Sequence, residues 1–339
     1  MREYPFPANV NMIRADFCKS TNLFLAYPKG FLNEYESLVS FYDLLIELIP
    51  RDIKLFVITN TKKTARELAA KFRHKPNVDT IVINYFDEIW LRDCMGVFAG
   101  DKIYKFNYSP NYCALGKETK YYQYLNKLTK QALTEAFTSS IIEVPLNIDG
   151  GNFVHNTKKV FMTEKVYEDN PGKDIEGIVK HYTGLDTIVV GRSYYDVIGH
   201  TDGYMAFKDE DTMFISEYPK LSHLKQDIEY VKMLKSVAIN NGFKVLPIFD
   251  NPVDEPIHCA CKNKKTRSCL FSARGVYVNY IRFNDCIIMP EYSLQANSQI
   301  EYNWINKQWL QSQGFNVISI NCDQLAKFGG SLHCISFQS

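Results

Sequence analysis

The chain has 339 residues, 46% of them hydrophobic and 23% charged, with 39 Lys and Arg against 38 Asp and Glu. This is the make-up of a folded globular protein with room for a large core, and a formal charge of +1 leaves neither a nucleic-acid footprint nor a polybasic membrane surface. No apolar run approaches the roughly 18–20 residues needed to cross a bilayer, and the opening Met1-Arg2-Glu3-Tyr4-Pro5-Phe6-Pro7 has no signal-peptide core. The nine cysteines, without a secretory signal, predict free thiols in a reducing, cytoplasmic setting.

Amphipathic stretches then alternate with short β-branched runs. Residues 34–49 place Leu38, Phe41, Leu45 and Leu48 at helical spacing and stop at Pro50. A strand-like run at 55–58 follows. A helix over 64–72 precedes a strand over 80–83, 121–137 precedes 141–144, and 174–182 precedes 187–190. Farther on, 224–239 precedes 244–248 and 301–311 precedes 316–320. Repeated helix-then-strand units predict an α/β fold, for which a doubly wound sheet is the default. Extra strand-like pieces at 212–216, 276–281 and 286–289 break the alternation, and no Gly-rich turn follows an early strand, so a dinucleotide or phosphate cradle is not expected. Several small mixed sheets, each backed by a helix and arranged around a centre, fit the pattern equally well.

Four places put ionisable or Gly-rich residues where a strand or its end is expected. In Trp90-Leu91-Arg92-Asp93 a carboxylate stands beside an aromatic wall, which suits a cation on an apolar stem; a surface ion pair is the plainer alternative. Asp149-Gly150-Gly151-Asn152 reads as a turn between strands. In Gly199-His200-Thr201-Asp202, an extended chain would put His200 and Asp202 on one face, an acid/base next to an anionic anchor. In Gly329-Gly330-Ser331-Leu332-His333-Cys334 the glycines allow close backbone approach to a ligand, so Cys334 is a candidate nucleophile. His333 would point away from Cys334 in a strand, which leaves His200 as the partner of Cys334.

This set, in this order, resembles the agmatine deiminase and bacterial-type peptidylarginine deiminase family of the guanidino-group-modifying pentein superfamily. Tyr277-Val278-Asn279-Tyr280-Ile281-Arg282-Phe283-Asn284 is similar to the family's Tyr-x-Asn-Phe segment. The resemblance runs from about Trp90 to the end of the chain. It implies a five-bladed α/β propeller, one catalytic domain over 1–339, with the active site in its central channel. It implies hydrolysis of a guanidinium to a ureido group with release of ammonia, without a cofactor or metal. By position, Cys334 is the nucleophile, His200 the general acid/base, Asp93 and Asp202 the carboxylates that grip the guanidinium, and Asp149 the support of His200. Trp90, Asn152 and Gly330 are expected at the substrate.

A small guanidino compound, agmatine first, is the expected partner, and a homodimer or larger assembly the expected state. Peptidyl-arginine or free arginine deimination, amidino transfer, and a non-catalytic binding propeller are the alternatives. The family's Arg-Asp-x-Gly-Pro is replaced by Arg92-Asp93-Cys94-Met95-Gly96-Val97, and its Asp-Gly after Gly-Gly-Asn by His155-Asn156-Thr157. Both departures bear on the substrate more than on the chemistry. Cys259, Cys261 and Cys269 have part of a zinc-site spacing but lack a fourth ligand, and read as a surface loop.

Overall fold

The computed structural model of the chain describes residues 13–31, 34–110, 118–193, 196, 198–253, 273–293 and 298–339. Cys259, Cys261 and Cys269 lie outside the described residues. In place of one wide sheet, the strands form five small ones. The first holds β1 (Asn22–Ala26), β2 (Lys54–Thr59) and β3 (Val78–Val82), parallel and joined through α1 (Val39–Leu48) and α2 (Lys62–Lys71). After the short α3 (Leu91–Met95), each later sheet repeats one plan, an antiparallel hairpin followed by a parallel crossover through a helix. The second is β4 (Val97–Ala99), β5 (Lys102–Asn107), α4 (Glu118–Ala136) and β6 (Ser140–Asn147). The third is β7 (Val154–His155), β8 (Lys159–Thr163), α5 (Lys165–Asp169), α6 (Ile175–Thr183) and β9 (Asp186–Val190). The fourth is β10 (Met205–Phe207), β11 (Thr212–Glu217), α7 (Lys225–Asn240) and β12 (Lys244–Phe249). The fifth is β13 (Ile281–Phe283), β14 (Cys286–Glu291), α8 (Ser298–Ser312) and β15 (Asn316–Asn321).

After α9 (Asp323–Ala326) the chain returns to its start. β16 (Phe337–Gln338) pairs antiparallel with β1, Leu23 opposite Gln338 and Phe24 opposite Phe337. The hairpin partner that the first sheet lacks therefore comes from the other end of the chain. The long-period alternation of helix and strand was legible in the sequence. The doubly wound default was not the outcome, because each crossover returns to its own small sheet. The two- and three-residue strands β4, β7, β10 and β16 escape periodicity, being too short to show an alternation. Residues 276–280, expected as the start of a strand, form no ladder: the N–H groups of Tyr277 and Val278 donate to Oδ1 of buried Asp250 at 2.6 and 3.3 Å.

Local chemistry explains the regular parts. The parallel strand β2, Lys-Leu-Phe-Val-Ile-Thr, is apolar on both faces, as a strand covered on both sides must be. Thr61 caps α2 by accepting from the N–H of Thr64 at 3.1 Å, and Asp174 caps α6 by accepting from Gly177 at 3.0 Å. Where β16 closes onto β1, Phe337 stacks on Phe98 of the second sheet (centroids 5.2 Å apart) and meets Phe24 at 5.7 Å. Among the described residues no helix is long and apolar enough to cross a membrane. Because Phe337 is 1% exposed and bridges two sheets, Phe337→Ala should cost about 3–5 kcal/mol, measurable as a lower urea midpoint with an unchanged slope.

Candidate active site

The sequence motifs fall at equivalent points of the five sheets, each just ahead of the sheet's short hairpin strand. Asp93 lies in α3 ahead of β4, and Asp149 with the 3-10 turn Gly150–Asn152 leads into β7. His200 and the 3-10 turn Thr201–Gly203 lead into β10, Asn279 into β13, and Cys334 into β16. Hydrogen bonds join these junctions into a closed ring. The N–H of Arg92 donates to the carbonyl of Cys334 (3.1 Å) and that of Gly151 to Asp93 Oδ1 (2.9 Å). Thr201 Oγ1 donates to the carbonyl of Gly151 (3.3 Å) and Asn279 Nδ2 to the carbonyl of Asp202 (3.2 Å). Asn279 Oδ1 completes the circuit by accepting from the N–H groups of His333 (3.0 Å) and Cys334 (3.3 Å).

Two local expectations are corrected here. The chain at His200–Asp202 curls instead of extending, drawn in by the Thr201 hydroxyl, which reaches the carbonyls of both Gly151 and Phe161. His200 and Asp202 converge through this turn, not through strand alternation. Residues 332–335 are likewise a turn, so His333 does not point away from Cys334. Both side chains meet Asp202 Oδ2, His333 Nδ1 at 2.7 Å and Cys334 Sγ at 3.9 Å. Cys334 Sγ also lies 3.4 Å from Asn279 Oδ1.

The tightest convergence is at Gly151. A methyl there would stand 2.5 Å from His200 Nδ1, 3.0 Å from Asp93 Oδ1 and 3.1 Å from Asp202 Oδ1. Two carboxylate oxygens and an imidazole nitrogen therefore converge on one point, so closely that only a glycine fits there. Gly330 plays a comparable part for Trp90, whose ring packs 2.3 Å from where a Cβ on Gly330 would be; the Trp90 indole N–H donates to the Tyr35 hydroxyl at 2.9 Å. Asn152 faces the other way: its amide oxygen accepts from the N–H of Thr163 at 2.7 Å, tying the turn to β8.

Charge in this enclosed space is strongly coupled. His200 Nε2 lies 3.2 Å from Asp149 Oδ2, and Nδ1 lies 3.7 Å from Asp93 Oδ1. Burial works against the imidazolium, but Asp93 and Asp149 outweigh it and the His200 pKa rises. Burial raises the Asp93 pKa; His200 opposes this, while Asp149 and Asp202 add to it. For Asp202 burial pushes up, yet the hydrogen bond and charge of His333, with His200 and Arg92, bring the net shift down. Burial raises the Cys334 thiol well above its ordinary value, with Asp202 and Asp93 pushing the same way. This environment favours the thiol form of Cys334, and a cation placed between these carboxylates would favour its thiolate.

The model of the Porphyromonas-type peptidyl-arginine deiminase family matches residues 12–339. The chain belongs to that family. No curated protein sequence matches this deiminase-family chain. Its fold is similar to that of a C. jejuni agmatine deiminase (TM-score 0.73, 16% identity, 99% of this chain and 98% of that one). It is similar also to the agmatine deiminase of Enterococcus faecalis (TM-score 0.74, 15% identity, 99% of each chain). A more distant likeness is to DDAH from Pseudomonas aeruginosa in complex with citrulline (TM-score 0.53, 10% identity, 95% of this chain and 100% of that one). The five sheets are thus the expected α/β propeller, and the deiminase is an enzyme acting on guanidino groups.

Sequence reasoning did not assign parts to Asn279, His333 or Asp16. Asn279 and His333 lie inside motifs that were noticed, and their signal was adjacency to Cys334 and to the Tyr277–Asn284 segment. Asp16 carries no motif signal. In this deiminase Gly151→Ala should leave the circular dichroism unchanged and lower ammonia release from a guanidino substrate by about a hundredfold, the typical effect of moving reacting groups by ~1 Å.

Proposed function

We propose that the chain is a deiminase that hydrolyses agmatine to N-carbamoylputrescine and ammonia, with residues 1–339 acting as one catalytic domain. The observation that carries this reading is the common point faced by Asp93 Oδ1, Asp202 Oδ1 and His200 Nδ1, with Cys334 against Asp202. A guanidinium is planar, cationic and a poor electrophile, and carboxylates on its nitrogens fix its plane and the line of attack. Its charge lowers the pKa of Cys334, and the thiol proton passes to solvent water as substrate settles. The thiolate then bonds to the central carbon, forming a neutral tetrahedral adduct. Protonated His200 gives its proton to one nitrogen, the carbon–nitrogen bond breaks, and ammonia departs, leaving a cationic thiouronium on Cys334. Neutral His200 next takes a proton from water as the oxygen adds to the same carbon. Collapse breaks the carbon–sulfur bond, the hydroxyl proton passes to solvent water, and the neutral ureido product and the thiolate are released.

Asp149, behind His200, holds the ring and favours its charged form. Trp90, seated on Gly330, forms an aromatic wall for an alkyl stem. Likeness in fold to two agmatine deiminases supports the small amine as substrate. The family's own description favours a second reading, in which the guanidinium belongs to a peptidyl-arginine. Ammonia release from agmatine, free arginine and a blocked arginine peptide, run in parallel, separates them. We expect the highest kcat/KM on agmatine, and a higher value on the blocked peptide would reverse the assignment.

Cys334→Ala should abolish turnover while keeping affinity for agmatine. Turnover near that of the unmodified enzyme would remove Cys334 from the chemistry. Asp93 must be ionised to grip the cation, and its pKa in the folded protein is raised. Activity should therefore be lost as pH falls through that raised value. The acidic limb of kcat/KM should lie well above the ~4 of an ordinary aspartate.

A further inference from the structure

Behind the guanidinium-facing carboxylate lies a second row of charges that the deimination steps do not use. Asp202 presents Oδ1 to the point beside Gly151, while its Oδ2 is held from the rear by His333 Nδ1 at 2.7 Å. His333 Nε2 is in turn 2.9 Å from Asp16 Oδ2, and Asp16 Oδ1 lies 3.2 Å from Arg92 Nη1. Arg92, Asp16, His333 and Asp202 thus alternate in sign along one hydrogen-bonded line, from the N-terminal segment to the reacting centre. Both ring nitrogens of His333 face carboxylate oxygens. A neutral imidazole has one N–H and one bare lone pair, and the lone pair would oppose a carboxylate. With both carboxylates ionised, the geometry is satisfied by the imidazolium.

We propose that Asp16 and His333 are positioning residues for the deimination site, a relay that clamps Asp202 from behind and keeps it charged and correctly turned for the guanidinium. The proposal rests on the deiminase reading for its purpose, but not for its geometry. Asp202 cannot rotate without breaking the 2.7 Å contact, and Asp93 is held in its turn by the Gly151 N–H at 2.9 Å. The His333 backbone N–H bond to Asn279 fixes the ring's own origin, so the relay also ties the Cys334 turn to Asp202.

The charged and titratable groups around the relay are Arg92 and His200 on the active-site side, and His155, Tyr280 and Arg282 beside a small cavity that Asp16 and His333 help to line. Burial and Arg92 disfavour charge on His333, but Asp16 and Asp202 prevail and its pKa is raised. Asp16 keeps 43% of its side-chain surface exposed; enclosure in the channel opposes its charge, and Arg92 and His333 overcome that and lower its pKa. Above the raised His333 pKa the clamp would lose its cation, so its effect belongs to the neutral and acidic range.

The test uses the full chain with 15N-labelled histidine, the His333 resonance being identified by its loss in His333→Gln. In the unmodified protein we expect both ring nitrogens of His333 to stay protonated through pH 7.5, and a neutral His333 at that pH overturns the relay without any variant. In Asp16→Asn the His333 pKa should fall by about one unit or more. KM for agmatine should rise by about tenfold, as for the loss of one unit of charge preference, with kcat changed much less, and Asp16→Glu should restore most of the difference. Equal losses in kcat and KM with an unshifted His333 titration would mean that Asp16 serves the fold alone. If the unmodified protein releases no ammonia from any guanidino compound, the deiminase reading falls, while the His333 titration still decides whether the relay exists.

Discussion

A carboxylate withdrawn from water persists as an anion only where a cation or N–H groups compensate it. Three of them, Asp93, Asp149 and Asp202, are buried together in this fold, with the part-exposed Asp16 behind them. Three basic groups face these four: Arg92 against Asp16, His333 between Asp16 and Asp202, and His200 between Asp149 and Asp93. Even with both histidines charged, the basic groups number one fewer than the carboxylates. Burial first, and the neighbouring carboxylates after it, raise the pKa of Asp93 and of the Cys334 thiol. On the proposed reading, a guanidinium brought between Asp93 and Asp202 would supply a further positive charge and at the same time favour the Cys334 thiolate, so that binding and activation would be a single electrostatic event.

The fold is suited to such a cluster because it brings one chain junction from each of five sheets to a common axis. Side chains that lead into their own strands are held by the ring of hydrogen bonds that runs from Arg92 to Cys334 to Asn279 to Asp202, then from its neighbour Thr201 to Gly151 and on to Asp93. Closure depends on β16, whose pairing with β1 and aromatic contacts with Phe24 and Phe98 hold the turn that carries His333 and Cys334. Stability and chemistry therefore share the last few residues of the chain.

Much of this was legible before the structure. The helices and the longer parallel strands follow from hydrophobic period and composition, since their burial pattern is local. The candidate groups Cys334, His200, Asp93, Asp202 and Asp149 stand out because each lies in a short motif with glycine or an aromatic residue. The two- and three-residue hairpin strands were not legible, nor was the parting of Asn152, bound to Thr163, from its neighbours in the same motif. A side chain's direction in a turn depends on which distant backbone group it can satisfy, and no window of sequence contains that group.

The sequence by itself determined the residue types of the chemistry, a thiol, an imidazole and paired acids, and the alternation of helix and strand, because both are written in neighbouring residues. Only the tertiary structure decided that the strands divide into five sheets closed by the C-terminus, and that His333 turns toward Cys334 and not away. It alone revealed Asp16, an aspartate without a motif that stands 317 positions from the histidine it contacts. Those outcomes rest on hydrogen bonds and charge pairs between residues far apart in the chain, whose energies exist only once the ring has closed.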